Sequence, residues 1–400
     1  MLEASIYNVT SRAGDRFGLE RDDPSAKFSV KTLKLPRRVV LAAGGTAGHV
    51  YPALAIADAY RQAVAPLEAM FFGTADGFEA RLVPRSGMPF SVVRSSPMVG
   101  ENLLGKGRTL ANIGGAFLSA RKLLQAAHAE LVIGLGGYAS VPVLMAARSL
   151  GLHTAIHECN ADPGLANKLL SRIVDRVYLG FETAAAHFQQ NHSLVIGNPV
   201  RPDVALLAAD KRHPPAGDRP ARLLVTGGSQ GSAFLNRKVP ELLKRLSSDG
   251  FTLDIRHQAG EQDVQAVRSS YQQAGLRATV SSFVDDIAAS YQWADFAITC
   301  AGAATLSELA VAGVPSLLVP LSSAARNHQV SNAATFAAAS GSCWVSESSW
   351  QPDNLASEIA RLLRHQRLWL EASARLRQAA KPHAARMLVD DCEAAIAQRV

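Results

Sequence analysis

Short apolar runs alternate with longer segments of helical periodicity along most of the chain, which is the pattern of a parallel β-sheet covered by helices. The first candidate strands are residues 38–43, 68–73, 90–95, 131–136, 153–158, 176–181 and 193–198. The pattern restarts in the stretch 221–236, and further candidate strands follow at 252–257, 278–283, 295–300 and 315–320. Two such runs predict an α/β protein with two doubly wound domains facing each other across a cleft, where ligands bind at the carboxyl ends of the strands.

The same pattern sets the domain boundaries. Residues 1–36 are polar and charged, lack periodicity and contain no apolar core of a secretory signal, so we expect a poorly ordered extension. The N-terminal domain should span 37–202. A linker is expected over 203–220, because 212-RHPPAGDRP-220 is rich in proline, glycine and charge. The C-terminal domain is then 221–400, and its last helix is a candidate to pack back on the N-terminal domain.

Each predicted domain opens on a glycine-rich turn between a strand and a helix. The first lies in 42-AAGGTAGHVYPALAIA-57 and the second in 221-ARLLVTGGSQGSAFLN-236. Glycines allow a close approach of the backbone, and a helix start offers unpaired N–H groups, so an anion or a polar sugar can bind there. The spacing is neither the dinucleotide fingerprint nor the P-loop, since no lysine follows Gly48. A purely structural turn explains the same residues.

Composition narrows the class of protein. With 400 residues, 48% of them hydrophobic, the chain suits two globular domains, and only 6% aromatic residues favour α/β layers over a β-sandwich. The net charge of +7 is compatible with nucleic acid, an anionic membrane surface or a phosphorylated substrate. No arginine-rich run with interleaved aromatics occurs, so we expect no nucleic-acid partner.

Several features are expected to be absent. The four cysteines are far apart and form no C-x-x-C pair, so we predict neither a zinc site nor a disulfide framework, as in a reducing cytoplasm. No clustered carboxylates stand out, and we predict no obligatory metal. No uncharged apolar stretch reaches about 18 residues, so any membrane contact should be peripheral.

Eight blocks together resemble the MurG family of N-acetylglucosaminyltransferases, in the family's order and from residue 37 to about 390. They are 44-GGTAGHVYPALAIA-57, 134-GLGGYASVPVLMAARSLG-151, 157-HECNADPGLANKLL-170, 197-GNPVR-201, 227-GGSQGS-232, 282-SFVDDIAASYQWAD-295, 302-GAATLSELAVAGVP-315 and 328-HQVSNA-333. The resemblance implies a GT-B fold of two Rossmann-like domains, with the acceptor and membrane on the first and the UDP-sugar on the second.

The implied reaction is an inverting transfer of GlcNAc from UDP-GlcNAc to the muramyl sugar of lipid I, an undecaprenyl-diphosphate-linked muramyl peptide, giving lipid II for peptidoglycan synthesis. The resemblance also implies a location at the cytoplasmic face of the cell membrane and a cell-wall synthesis complex as a candidate partner. It implies no cofactor besides the donor substrate.

Inverting transfer needs a base for the acceptor hydroxyl and a means of stabilising the departing diphosphate. His49 matches the family's motif histidine and is our candidate base, since an unperturbed imidazole pKa near 6.5 suits a proton acceptor at neutral pH. A histidine that only orders the turn is the alternative, and Glu158 is then the next candidate.

The resemblance also indicates the residues of the donor site. Arg201 and Ser229 match the positions that bind the donor phosphates, and Val284 falls where backbone groups hold the uracil. Glu308 matches the glutamate that accepts both ribose hydroxyls, although a carboxylate near a helix start is also favoured by the helix dipole alone. Gln329 falls where the GlcNAc hydroxyls are recognised. The complete expected donor set is Thr46, Gly48, Arg201, Ser229, Val284, Ala303, Glu308 and Gln329.

On the acceptor side, Tyr138 and Asn160 follow strands of the first domain and should line the same cleft, where Glu158 could instead serve a buried network. The segment 101–124 mixes Leu103, Leu104 and Phe117 with four cations, Lys106, Arg108, Arg121 and Lys122. Such a mixture suits contact with an anionic leaflet, while packing of the helix on its own sheet is the alternative.

Three departures from the family pattern keep rival functions open. Ala47 replaces a glycine, Ala301 replaces an arginine, and 321-LSSAARN-327 lacks the usual proline, histidine and aspartates and carries Arg326. The rivals are a related transferase with another sugar nucleotide or a lipid or natural-product acceptor, and a non-catalytic UDP-sugar-binding paralogue. A nicotinamide dehydrogenase is disfavoured by the glycine spacing.

Overall fold

The computed structural model describes residues 36–45, 47–93, 103–137, 139–189, 192–215, 217–322 and 327–398, and over 103–113 it describes the helix backbone only. Of the predicted extension 1–36, residues 1–35 lie outside these ranges, as do the site candidates Thr46 and Tyr138 and the loop residue Arg326.

The N-terminal sheet consists of seven parallel strands in the order β3-β2-β1-β4-β5-β6-β7. They are β1 (Arg37–Ala42), β2 (Leu67–Gly73), β3 (Phe90–Val92), β4 (Leu131–Gly134), β5 (His153–Glu158), β6 (Arg176–Leu179) and β7 (Ser193–Val195). Their helices are α1 (Ala47–Ala63), α2 (Phe78–Arg85), α3 (Leu103–Ala126), α4 (Ser140–Ser149) and α5 (Leu165–Leu170). Each predicted strand of this half is present, which confirms the doubly wound pattern.

The C-terminal sheet has six parallel strands in the order β10-β9-β8-β11-β12-β13. They are β8 (Ala221–Thr226), β9 (Leu253–Gln258), β10 (Ala278–Ser281), β11 (Phe296–Thr299), β12 (Ser316–Leu318) and β13 (Cys343–Trp344). The helices from the crossing onward are α6 (Pro202–Leu206), α7 (Ala233–Ser248), α8 (Val264–Gln273), α9 (Ile287–Trp293), α10 (Ala303–Ala312), α11 (His328–Ser340), α12 (Pro352–Arg364), α13 (Gln366–Ala379) and α14 (Ala384–Ala397).

The segment that was expected to be a linker starts with structure of its own. Helix α6 begins at Pro202, and Val204 and Leu207 are buried in the core of the C-terminal domain. Proline is tolerated in the first turn of a helix, where its missing N–H would have no helical partner. The chain therefore docks on the second domain well before β8 begins.

The last helix returns to the first domain. Leu388 and Val389 of α14 are fully buried together with Val50 and Ile56 of α1. The Tyr178 hydroxyl of β6 also donates to Asp391 over 2.7 Å. The first described strand, β1, and the last helix, α14, thus both contribute to the core of the N-terminal domain.

Within the part of the chain that the structure describes, no helix combines the length and the apolar character needed to cross a bilayer.

Candidate active site

A cavity of about 370 Å³ lies between the two domains, at the carboxyl ends of both sheets. Nine predicted site residues line it: Gly48, His49, Asn160, Arg201, Ser229, Val284, Ala303, Glu308 and Gln329. A larger cavity of about 600 Å³ lies near the amino end of β8, where residues 217–221 precede or begin the strand. Because doubly wound sheets bind ligands at the carboxyl ends of their strands, the cleft between the domains is the candidate site.

A buried carboxylate holds the first glycine turn in place. The side chain of Glu79, in α2, is completely buried; its Oε2 accepts from the Gly45 N–H (3.0 Å), and its Oε1 accepts from the N–H and hydroxyl of Thr74 (2.9 and 2.6 Å). Sequence reasoning missed this residue, because a glutamate in the first turn of a helix is explained by the helix dipole alone.

The turn also interlocks with the turn that follows β4. A Cβ at Gly137, where φ is +79°, would lie 2.2 Å from the Gly44 carbonyl oxygen. Only glycine combines this left-handed conformation with so close a backbone approach. The first turn is therefore fixed from two sides before any ligand binds.

His49 lies in the first turn of α1, with its ring against Gly136. Its Nδ1 is 3.3 Å from the Gly44 carbonyl oxygen. A carbonyl only accepts, so this contact assigns a ring proton to Nδ1. Burial lowers the pKa of His49, against the raising effect of the Glu158 charge and the Gly44 carbonyl. The imidazole is consequently neutral at pH 7, the form that a general base requires.

Glu158 lies behind the cleft wall and organises the loop after β5. Its Oε1 accepts from the backbone N–H and the side-chain amide of Asn160 (2.9 and 3.2 Å). Its Oε2 accepts from the Gly164 N–H (3.0 Å) and from Asn167 Nδ2 (2.8 Å). Four donors on one buried carboxylate favour the network role over direct proton transfer.

Arg201 and Glu308, which sequence analysis assigns to different parts of the donor, form an ion pair. Arg201 Nε is 3.0 Å from Glu308 Oε1, and the Tyr291 hydroxyl donates to Glu308 Oε2 over 3.1 Å. Burial raises the pKa of Glu308, while the Arg201 guanidinium and the Tyr291 hydroxyl oppose that shift. The pair places a carboxylate and a cation side by side in the cleft.

The second glycine turn leads into a capped helix. Ser232 caps α7 by accepting from the Leu235 N–H over 3.3 Å, and the preceding residues 227–231, including Ser229, line the cleft. Backbone N–H groups at such a helix start favour an anionic ligand.

The side-chain amide of Gln329 is hydrogen-bonded to the protein through its oxygen. Its Oε1 accepts from the backbone N–H groups of Ala301 (3.1 Å) and Leu321 (3.0 Å). Since both partners are donors, the oxygen is assigned to that side, and Nε2 is the group that a ligand in the cleft can meet. The methyl of Ala301 is fully buried in the core of the C-terminal domain.

Asn332, three residues further along α11, connects the two domains. Its side chain is fully buried; its Oδ1 accepts from the Ala161 N–H (2.8 Å), and its Nδ2 donates to Asn160 Oδ1 (3.1 Å) and to the Ala301 carbonyl (3.3 Å). Asn160 is thereby shared between the Glu158 network and the second domain.

Comparisons with known proteins agree with this architecture. The family model "Glycosyltransferase family 28 N-terminal domain" matches residues 39–179, and "Glycosyltransferase family 28 C-terminal domain" matches residues 222–387. A protein of Methylococcus capsulatus is 41% identical over 360 residues, which are 90% of this chain and 98% of that protein. A protein of Geotalea daltonii is 36% identical over 354 residues, or 88% and 96% of the two chains. Both are named UDP-N-acetylglucosamine--N-acetylmuramyl-(pentapeptide) pyrophosphoryl-undecaprenol N-acetylglucosamine transferase.

The chain belongs to this family of glycosyltransferases. The crystal structure of MurG from Acinetobacter baumannii superimposes with a TM-score of 0.71 at 32% identity, covering 90% of this chain and 99% of that one. The predicted family and the predicted fold of two α/β domains are both confirmed.

Family membership does not establish the roles of individual residues, which have to be argued from the geometry of the site. The structure brings nine of the twelve predicted site residues to one cleft and puts Glu158 behind its wall, while Thr46 and Tyr138 lie outside the described residues. Within the described ranges, no group of three or more His, Cys, Asp or Glu side chains could hold a metal ion.

Proposed function

We propose that this chain is an inverting transferase that moves GlcNAc from UDP-GlcNAc to the muramyl sugar of an undecaprenyl-diphosphate-linked acceptor, giving lipid II. The observation that carries the proposal is the single cleft, where a neutral histidine on one domain faces an arginine–glutamate pair and a glycine turn on the other. Relatives that cover most of the chain are named for this transfer.

The donor is held mainly by the second domain. Glu308 accepts from the two ribose hydroxyls, because a carboxylate with one ion pair and one hydrogen bond keeps lone pairs for further donors. Backbone groups at Val284 hold the uracil. Arg201, Ser229 and the N–H groups of residues 227–231 meet the diphosphate, and Gln329 Nε2 donates to a sugar oxygen.

The acceptor hydroxyl approaches from the first domain. Nε2 of His49 takes its proton as the oxygen attacks the anomeric carbon, and the bond from that carbon to the UDP oxygen breaks on the opposite face, which inverts the configuration. Arg201 and the oriented N–H groups stabilise the charge on the departing UDP, so we propose that no metal ion and no cofactor is required.

Enzyme turnover with a lipid acceptor calls for contact with a membrane, and one face of the first domain suits that contact. Apolar side chains are exposed on α3, α4, α5 and the turn after α5, close to cations in the chain. The apolar residues are Leu118, Met145, Leu165, Leu169 and Ile173, and the cations are Arg121, Lys122, Lys168 and Arg172. Phe117 instead packs on the core beneath α3, and the side chains of Leu103, Leu104, Lys106 and Arg108 lie outside the described part. We propose that this face contacts an anionic leaflet peripherally, at the cytoplasmic side of the membrane.

Vesicle binding tests the membrane proposal. Replacing Leu165 and Leu169 with glutamate should release the protein from vesicles that contain anionic lipid, because it removes apolar area and adds charge of the wrong sign. Leu206→Glu is the matched control, since Leu206 is also exposed but belongs to α6 on the second domain. Equal loss of vesicle binding in both variants, or no loss of vesicle binding in either, would contradict the proposal.

The function itself is tested by UDP release from UDP-GlcNAc with and without lipid I, beside other UDP-sugars. Release that needs both UDP-GlcNAc and lipid I is expected. Donor binding without release in the presence of lipid I would indicate the non-catalytic paralogue, and a preference for another sugar or acceptor would indicate the related transferase.

A further inference from the structure

An aromatic ring from the first domain covers the arginine of the donor site. Tyr51 belongs to α1, whereas Arg201 lies on the segment that leads into α6 and the second domain. The guanidinium carbon of Arg201 is 3.8 Å from the centroid of the Tyr51 ring, well inside the distance at which a cation is attracted to a ring face. Both residues line the cleft.

The other side of the guanidinium is held by the second domain. Arg201 Nε pairs with Glu308 Oε1 at 3.0 Å, and Glu308 is itself almost completely buried. A guanidinium carries five N–H donors, of which Nε supplies one, so four donors on the two terminal nitrogens are left for other partners. Arg201 is therefore clamped between a ring of one domain and a carboxylate of the other.

Clamping matters because a free arginine has many rotamers. An arginine side chain loses rotamer entropy when it is held in one conformation, and a bidentate contact with phosphate benefits when the planar guanidinium is already oriented. A flat ring at 3.8 Å fixes the plane of the guanidinium, while the ion pair at Nε fixes its position along the cleft.

We propose that Tyr51 is a positioning residue for donor binding: its ring, contributed by the acceptor domain, holds the Arg201 guanidinium in the orientation that meets the diphosphate of a UDP-sugar. This inference rests on the proposed function, since it requires a nucleoside-diphosphate donor. It adds an aromatic ring of the first domain to the donor site, where the sequence already places Thr46 and Gly48 of the same domain.

The inference has a signature that ordinary destabilisation lacks. Tyr51 orients the end of Arg201 that meets the diphosphate, while Glu308 is also held by Tyr291, so loss of the ring should weaken the binding of UDP more than the binding of uridine. Tyr51→Phe keeps the ring and should bind UDP as the native protein does. Tyr51→Leu removes the ring and should weaken UDP by about 2- to 30-fold, the range of a cation–ring contact expressed in affinity. Because Arg201 also stabilises the charge on the departing UDP, kcat/KM for UDP-GlcNAc should fall at least as much as the affinity for UDP.

The experiment is calorimetric titration of the full chain with UDP and with uridine, for the native protein, Tyr51→Phe, Tyr51→Leu, Arg201→Lys and the double variant Tyr51→Leu/Arg201→Lys. Lysine keeps the charge but not the planar fork, so the double variant should bind UDP little worse than Arg201→Lys alone.

The outcomes separate this inference from the function it depends on. Unchanged UDP affinity in Tyr51→Leu, an equal loss for uridine and UDP, or additive losses in the double variant would overturn the role of Tyr51 while leaving the proposed function intact. Failure of the native protein to bind UDP at all would overturn both.

Discussion

At the scale of single residues, the amide of Gln329 divides its two ends between protein and ligand. Its oxygen already accepts two backbone N–H groups, so recognition of the sugar depends on the Nε2 donor. Glutamate at this position keeps an oxygen for the backbone and loses the donor. We therefore expect Gln329→Glu to weaken the binding of UDP-GlcNAc, relative to the binding of UDP, by about 0.5–1.5 kcal/mol, which is the net contribution of one hydrogen bond.

Calorimetric titration with both ligands measures the ratio of the two affinities, in which any effect of the added charge on the shared UDP group cancels. Gln329→Ala, which also frees the N–H groups of Ala301 and Leu321, serves as the comparison for damage to the backbone. A native ratio in the Gln329→Glu variant would remove Gln329 from the sugar pocket.

His49 gives a second prediction, in the pH dependence of the rate. Burial lowers the pKa of this imidazole below its usual 6.5, and only the neutral form can take a proton. The rate should therefore fall on the acid side, with an apparent pKa in kcat/KM below 6.5. His49→Ala should lower turnover by about 10²–10⁴ and abolish this acid limb. A pH–rate profile of both proteins checks it, and a limb that survives in His49→Ala would belong to another group.

Nine of the twelve predicted site residues line one cleft, but the contacts between them could not be predicted from the sequence. Motif blocks indicate that Arg201 and Glu308 belong to one site, yet nothing in their spacing says that the two side chains pair with each other. Glu79 and Asn332 were not predicted from the sequence, because a buried hydrogen-bond network depends on which turns lie close together in the folded chain. The role of Tyr51 depends in the same way on a contact between domains.

At the scale of elements, the strands with buried apolar side chains were all predictable. The strand β13 was not, because it is an edge strand of two residues, Cys343 and Trp344, both exposed. Helix α6 was likewise missed within the predicted linker, since five residues are too few to establish a helical period. Helix α6 forms because Val204 is buried in the neighbouring core, and β13 forms because it pairs with β12.

The interlocked glycine turns give a prediction at this scale. Alanine at Gly137 would meet the Gly44 carbonyl at 2.2 Å and would also adopt a positive φ. Gly275 has a positive φ with open space around it, and Gly114 lies within α3, also with open space. We expect Gly275→Ala to cost about 1–2 kcal/mol, Gly114→Ala to gain up to about 1 kcal/mol, and Gly137→Ala to cost more than either. Urea unfolding of the three variants measures these free energies; a Gly137→Ala cost no larger than that of Gly275→Ala would mean that the turns are not interlocked.

At the scale of the whole molecule, the C-terminal helix α14 completes the core of the N-terminal domain. Leu388 is fully buried against that core, whereas its neighbour Met387 is 43% exposed. Leu388→Ala should therefore lower the free energy of unfolding by about 2–5 kcal/mol, and Met387→Ala by no more than about 0.5 kcal/mol. In the Leu388→Ala variant, hydrogen exchange should become faster in β1, α1 and the elements packed against them. Faster exchange confined to the C-terminal sheet would contradict this account of α14.

The packing of α14 on the N-terminal domain also shows which contacts the sequence does not predict. The sequence predicts two domains and makes the last helix a candidate to pack on the first, but it does not predict the contacts that hold the helix there. These contacts join Asp391 to Tyr178 and Glu393 to Arg37. The same limit applies to the cleft. Two sheets with ligand-binding edges predicted that it exists, and the motif blocks predicted nine of the residues that line it, but the contacts between those residues followed only from the relative placement of the domains.

The central claim is that the cleft transfers a sugar from a bound donor to a lipid acceptor with His49 as the base. The most direct measurement follows labelled GlcNAc from UDP-GlcNAc into the lipid fraction in a single turnover, for the native protein and for His49→Ala at donor concentrations that saturate both. The account predicts rapid transfer by the native protein and a rate about 10²–10⁴ lower in the variant, at nearly unchanged donor affinity. Transfer by His49→Ala within a few-fold of the native rate, or no transfer by the native protein despite bound UDP-GlcNAc and lipid I, would contradict it.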